Sequence, residues 1–207
     1  MALGTVIRII TTPTIAPTGL VFTGRNLWYC ENSGDLAHCL DPETGREIRT
    51  IPLPVGDPRG LAFDGRTLWN GNRETFQIYQ IDPATGTVIR SLPIAVKDIR
   101  GLTFDGRTLW FNSVIVPDLR QVDPETGTVI QEFTTGLTYP LGLTFDGRTL
   151  WCADRFESAV FQIDPVTGII ISSFPLVVGT GSGLAFDGRT LWVCIQPTAD
   201  IYQIDIG

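Results

Sequence analysis

The chain has 207 residues, 43% hydrophobic and 18% charged, which is ample material for a packed core and excludes a disordered chain. Fifteen Lys+Arg against 22 Asp+Glu give a formal charge of −7, which argues against a nucleic-acid partner held through its phosphates. His38 is the single histidine, and the cysteines at 30, 39, 152 and 194 show no CxxC spacing, so multi-histidine catalysis is excluded and no metal site or cofactor is expected.

The N-terminus lacks a basic stretch followed by an apolar one, so no signal peptide is expected. No apolar run approaches the roughly 20 residues that span a bilayer, so no membrane partner is expected. Gly4-Thr5-Val6-Ile7-Arg8 matches Gly86-Thr87-Val88-Ile89-Arg90 further along. From Gly19 the chain repeats. Gly-Leu-x-Phe-x-Gly-Arg-x-Leu-Trp begins at Gly19, Gly60, Gly101, Gly142 and Gly183, a constant spacing of 41. A second string, Asp-Pro-x-Thr-Gly, follows in the same period at Asp41, Asp82, Asp123 and Asp164.

Each repeat is patterned for strands. Gly60 to Asp64 reads as a short apolar strand, Asp64-Gly65-Arg66-Thr67 as a tight turn, and Leu68-Trp69 as the start of a second strand. Gln77 to Asp82 is a third, and the β-branched run Thr87 to Pro93 a fourth. No segment has a sustained helical period. Four antiparallel strands per 41-residue unit predict the blade of a β-propeller, and five units predict five blades in one domain over residues 1–207. The last copy ends at Ile204-Asp205-Ile206-Gly207, before its fourth strand. Residues 4–12 are therefore expected to complete that blade and close the ring.

These two strings resemble the NHL/YVTN class of bacterial propeller repeats. The resemblance covers the whole chain and implies blades around a channel, with ligands held on one face. It does not imply one function, since that class spans enzymes, sensors and scaffolds. A looser resemblance, to plant-type glutaminyl cyclotransferases, rests on Tyr29-Cys30-Glu31-Asn32-Ser33-Gly34, set against that family's Phe-Glu-Ser-Thr-Gly. It implies Glu31 as a proton-transfer carboxylate. The family's Phe-Thr-Gln-Gly-Leu appears here only as Ala16-Pro17-Thr18-Gly19-Leu20.

Five internal copies separate uniform positions from variable ones. Trp28, Trp69, Trp110, Trp151 and Trp192 recur, and five identical aromatic slots read as packing between blades. The recurrent turn aspartates and the hairpin arginines (Arg25, Arg66, Arg107, Arg148 and Arg189) read as a ring of surface pairs. Cys30 and Cys194 share a slot in adjacent blades. Packed sheets lie about 10 Å apart, too far for a disulfide, so free buried thiols are expected. His38 reads as filling a slot on its blade.

Divergence concentrates in the loops between second and third strands and in the links between blades, which emerge on one face. These loops carry nine acidic and five basic side chains. Asp57 and Arg59, with Asp98 and Arg100 one blade on, precede innermost strands and should lie at the channel mouth. Arg59 and Arg100 are candidates to grip a carboxylate, with Asp57 and Asp98 orienting them and Tyr139 and Phe156 supplying apolar contact. The competing expectation is that each Asp–Arg pair neutralises itself. The resulting expectation is a monomeric, non-enzymatic binding or scaffold module taking a small molecule or a peptide terminus at the mouth. The alternatives are a glutaminyl-cyclotransferase-like enzyme using Glu31 and a structural repeat with no ligand.

Overall fold

A computed structural model describes residues 3–14, 16–31, 33–115, 118–176 and 179–207. It is all-β, with no helix among the described residues. After β1 (Thr5–Thr11), the first blade comprises β2 (Pro17–Phe22), β3 (Leu27–Glu31), β4 (Leu36–Leu40) and β5 (Glu47–Pro52). The second comprises β6 (Pro58–Phe63), β7 (Leu68–Asn72), β8 (Gln77–Ile81) and β9 (Val88–Pro93). The third is β10 (Ile99–Phe104), β11 (Leu109–Ser113), β12 (Leu119–Val122) and β13 (Val129–Phe133), and the fourth β14 (Pro140–Phe145), β15 (Leu150–Asp154), β16 (Ala159–Ile163) and β17 (Ile170–Pro175). The fifth has β18 (Thr180–Phe186), β19 (Thr190–Gln196) and β20 (Asp200–Asp205), and β1 pairs antiparallel with β20 as its outermost strand, Ile9 opposite Tyr202 and Thr11 opposite Asp200. The five sheets have four strands each, and the ring closes through hydrogen bonds between the two ends of the chain.

The repeated glycine within each inner strand has a steric cause. A Cβ on Gly19 would stand 2.1 Å from the Arg59 carbonyl oxygen, and one on Gly101 would stand 2.4 Å from that of Leu141. The five inner strands approach one another so closely that only glycine fits. The glycines and the leucines that follow them leave no room for a water molecule at the axis, while the side chains of Leu20, Leu61, Leu102, Leu143 and Leu184 pack between blades. The channel is a closed floor.

The tryptophans pack between blades as expected. Trp28 lies with Leu61, Leu68 and Ile81 of the second blade, and Trp192 crosses the closure seam to Leu20, Leu27 and Tyr29. They also perform a second job in the hairpins. Asp105 accepts hydrogen bonds from the Arg107 and Thr108 amides, the Thr108 hydroxyl and the Trp110 indole N–H at 2.6–2.8 Å. Asp64, Asp146 and Asp187 repeat the arrangement, while the first blade has Thr23 there instead. The expected ring of Asp–Arg surface pairs is corrected. Asp41, Asp123 and Asp164 instead accept N–H groups of their own turns. All four cysteines are free and buried, and burial pushes the Cys30 thiol up to about 11.

Two expectations follow. Burial raises the carboxyls of Asp64, Asp105, Asp146 and Asp187, but bonds from threonine, tryptophan and backbone outweigh it and hold all four below the usual range. Groups depressed in the folded state stabilise it fully above their unfolded value near 4 and lose that contribution as pH falls through the folded value. Urea unfolding should therefore give a stability that declines below about pH 4; a stability that does not decline there would contradict the assignment. Deleting residues 1–12 should unpair β20, and size-exclusion chromatography with thermal unfolding should show strand-exchanged dimers or a loss of cooperativity. A monomer with unchanged melting would refute the seam.

Candidate functional site

The floor is uniform, so chemical individuality begins one residue before it. Positions 18, 59, 100, 141 and 182 are equivalent, one per blade, and hold Thr, Arg, Arg, Leu and Ser. Together with Arg155 and Gln196 they line a neck of about 40 Å³ above the closed axis. Beside it opens a bowl of about 590 Å³ bounded by Ala16, Arg59, Arg155, Gly179, Thr180, Gln196 and Pro197, over the fifth blade. Arg59, Arg155 and Gln196 belong to both.

The charges are wired as a chain. Arg59 Nη2 donates to Asp57 Oδ2 at 2.9 Å, and its Nε stands 2.7 Å from Asp57 Oδ1 in an ion contact whose N–H misses the oxygen. Arg73 bridges the next two blades, Nη1 to Asp57 at 2.9 Å and Nε to Asp98 at 2.7 Å. Asp98 lies 2.9 Å from Arg100 Nε. Arg100 Nη2 donates to the Tyr139 hydroxyl at 3.2 Å, and its guanidinium lies 5.3 Å from the Tyr139 ring centroid. Arg155 flanks the same ring at 5.8 Å. Arg59, Arg73 and Arg100 thus share two aspartates, and the charged residues lining the neck are Arg59, Arg100 and Arg155, a cationic lining in an anionic protein. Among the described residues, no protein group takes Arg59 Nη1, Arg100 Nη1 or the Arg155 guanidinium as a hydrogen-bond donor.

Other polar groups of the variable face hold loop geometry. Asp154, fully buried, accepts from the Tyr139, Phe156 and Glu157 amides. Asn72 does the same for Asp57, Glu74 and Thr75, and Asp118 binds Thr135 twice. Glu31 occupies the slot of Asn72 and Asp154. It is buried, lies outside the neck and the bowl, and approaches His38 Nε2 at 3.6 Å. His38 stacks on Tyr29 at 4.6 Å and meets Glu47 through Nδ1 at 2.7 Å.

The structure therefore brings Arg59, Arg100, Asp57 and Asp98 together, with Tyr139 beside them as a clamp on Arg100. Phe156 packs on Tyr139 at 5.1 Å but is 66% exposed and lines neither cavity; its loop points it outward because Asp154 holds its amide. Arg73 and Arg155 were not among the predicted site residues. They stand at the same position two blades apart, a recurrence visible in the sequence, but their bridging and lining roles depend on the blades' packing angle.

No protein-family model and no curated protein matches the sequence. Solved structures do. Glutaminyl cyclase of Myxococcus xanthus superposes with a TM-score of 0.84 at 15% identity, over 99% of this chain and 97% of that one. The fold is a five-bladed β-propeller. A catalytically inactive virginiamycin B lyase of Staphylococcus aureus with quinupristin gives 0.59 at 20% identity, over 95% and 68%. The computationally designed Ika8 protein gives 0.55 at 15%, over 92% and 58%. At these identities the likeness establishes architecture and not activity.

Asp154→Ala should strand three N–H groups and destabilise the protein by about 2–4 kcal/mol, measured by chemical denaturation. Asp154→Asn, which keeps an acceptor, should recover part of the loss. A neutral alanine variant would show that this slot is free for chemistry.

Proposed function

We propose that this propeller is a non-enzymatic binding module whose mouth receives a carboxylate. The carrying observation is that Arg59, Arg100 and Arg155 converge on one neck of about 40 Å³ with donor capacity the protein leaves unused. Guanidinium groups held by Asp57, Asp98 and Tyr139 are pre-oriented, so little side-chain entropy is lost on binding. Gln196 adds a neutral hydrogen-bonding group to the same lining, where the Thr18 and Ser182 hydroxyls donate to the Pro58 and Pro17 carbonyls and remain available as acceptors. The paired aspartates reduce the field at the mouth without cancelling it, because Arg73 shares both of them. The repeat strings that resemble the NHL/YVTN class are neutral on the point.

A second reading has one observation in its favour, the superposition on a glutaminyl cyclase across 99% of this chain. Glu31 would then be the proton-transfer group. Its burial against His38, in a slot that elsewhere fastens loops, weighs against it. An assay for cyclisation of an N-terminal glutamine tests this reading directly.

For the binding reading, N-acetyl-leucine is a simple probe. Titration calorimetry should show saturable binding that weakens at least tenfold or so in the Arg59→Ala, Arg100→Ala double variant. Arg155→Ala, at an exposed side chain, should weaken it with less risk to the fold. Unchanged affinity in both variants, with melting preserved, would remove the mouth as the site.

A further inference from the structure

Resting on the carboxylate reading above, we propose that the occupant is the carboxy terminus of a polypeptide with basic residues upstream of its end. The shape of the mouth argues for a chain end. A neck of about 40 Å³ admits a carboxylate and little more. Pockets that hold a whole small ligand enclose roughly 300–1,000 Å³ and are mostly apolar. The adjoining bowl has the volume, at about 590 Å³, but it is open. Ala16, Thr180 and Gln196 bound it with short or polar side chains. Such a surface walls a chain that passes over it and does not bury a free molecule. Thr180 and Gln196 can exchange hydrogen bonds with an extended peptide backbone, whose groups recur at a regular interval.

The charge pattern selects the same occupant. The neck is cationic, while the protein carries −7 overall. The loops bounding the bowl also carry Glu157, which is exposed, and Asp200, which is partly so. The bowl's own lining holds Arg59 and Arg155, so a ligand negative at its tip meets the neck, and positive charge further along its body is matched by Glu157 and Asp200 only beyond that lining. An amino terminus would be repelled by the neck, whose charged lining is Arg59, Arg100 and Arg155. Leu141, at the wall of the neck, is the apolar group nearest the carboxylate.

Fluorescence anisotropy with a labelled Lys-Gly-Lys-Gly-Ala-Leu peptide tests the proposal. The free acid should bind at least about tenfold more tightly than the amidated peptide and than N-acetyl-leucine in competition. Arg155→Ala, with melting preserved, should bring the free acid towards the amide. Replacing both lysines of the peptide by glutamate should weaken it, and added salt should shrink that difference. Equal binding of acid and amide would overturn the proposal, and equal binding of the lysine and glutamate peptides would overturn its upstream charge. If N-acetyl-leucine binds through Arg59 and Arg100 as tightly as the peptide, the carboxylate reading stands and the chain-terminus proposal falls. If neither binds, both fall.

Discussion

The close approach of the five innermost strands governs this molecule. A Cβ at Gly142 would stand 2.8 Å from the backbone of Gly183, and one at Gly183 2.7 Å from the Thr18 carbonyl, so every blade needs a glycine within its inner strand. That contact draws the inner strands close enough to leave no room for a water molecule at the axis. Sealing has a functional consequence, because nothing can thread the channel. Whatever the protein binds must be met from a face, and only one face varies.

The glycine floor also explains where charge is tolerated. Positions 18, 59, 100, 141 and 182 sit just above the contact, where the strands begin to splay and side chains again have room. Two arginines there would repel each other if bare, and a buried guanidinium is costly without partners. Asp57 and Asp98 supply partners, and Arg73, from the loop outside, ties the two pairs into one network. Tyr139 closes the network on the fourth blade by bonding Arg100 and lying between it and Arg155. The fifth blade contributes no charge to the neck, only Ser182 and Gln196, and it is there that the bowl opens. The gradient from charged to neutral blades gives the mouth its direction.

The period of 41 made blade number, strand order and the closure of β1 on β20 legible, because each is a matter of counting identical units. The grouping of Asp57, Arg59, Asp98 and Arg100 was legible for a related reason: two successive blades carry the same Asp-x-Arg at positions where the other three blades each differ. What the sequence hides is angular. Whether Arg73 reaches across to the next blade, and whether Phe156 turns in or out, depends on how two loops are held by Asn72 and Asp154, which are themselves ordinary polar residues in a strand end. The hairpin aspartates are a like case. Surface pairing was expected of the turn aspartates such as Asp41, whereas hairpin aspartates such as Asp105 are bound by the same indoles that fill the interface.

The account stands or falls on the neck being an anion site. Anomalous diffraction from crystals of the unliganded protein soaked in sodium bromide examines it directly. The account predicts a bromide peak in the neck, within hydrogen-bond reach of Arg59, Arg100 and Arg155. Peaks confined to exposed hairpin arginines such as Arg66 and Arg107, with only water in the neck, would contradict it.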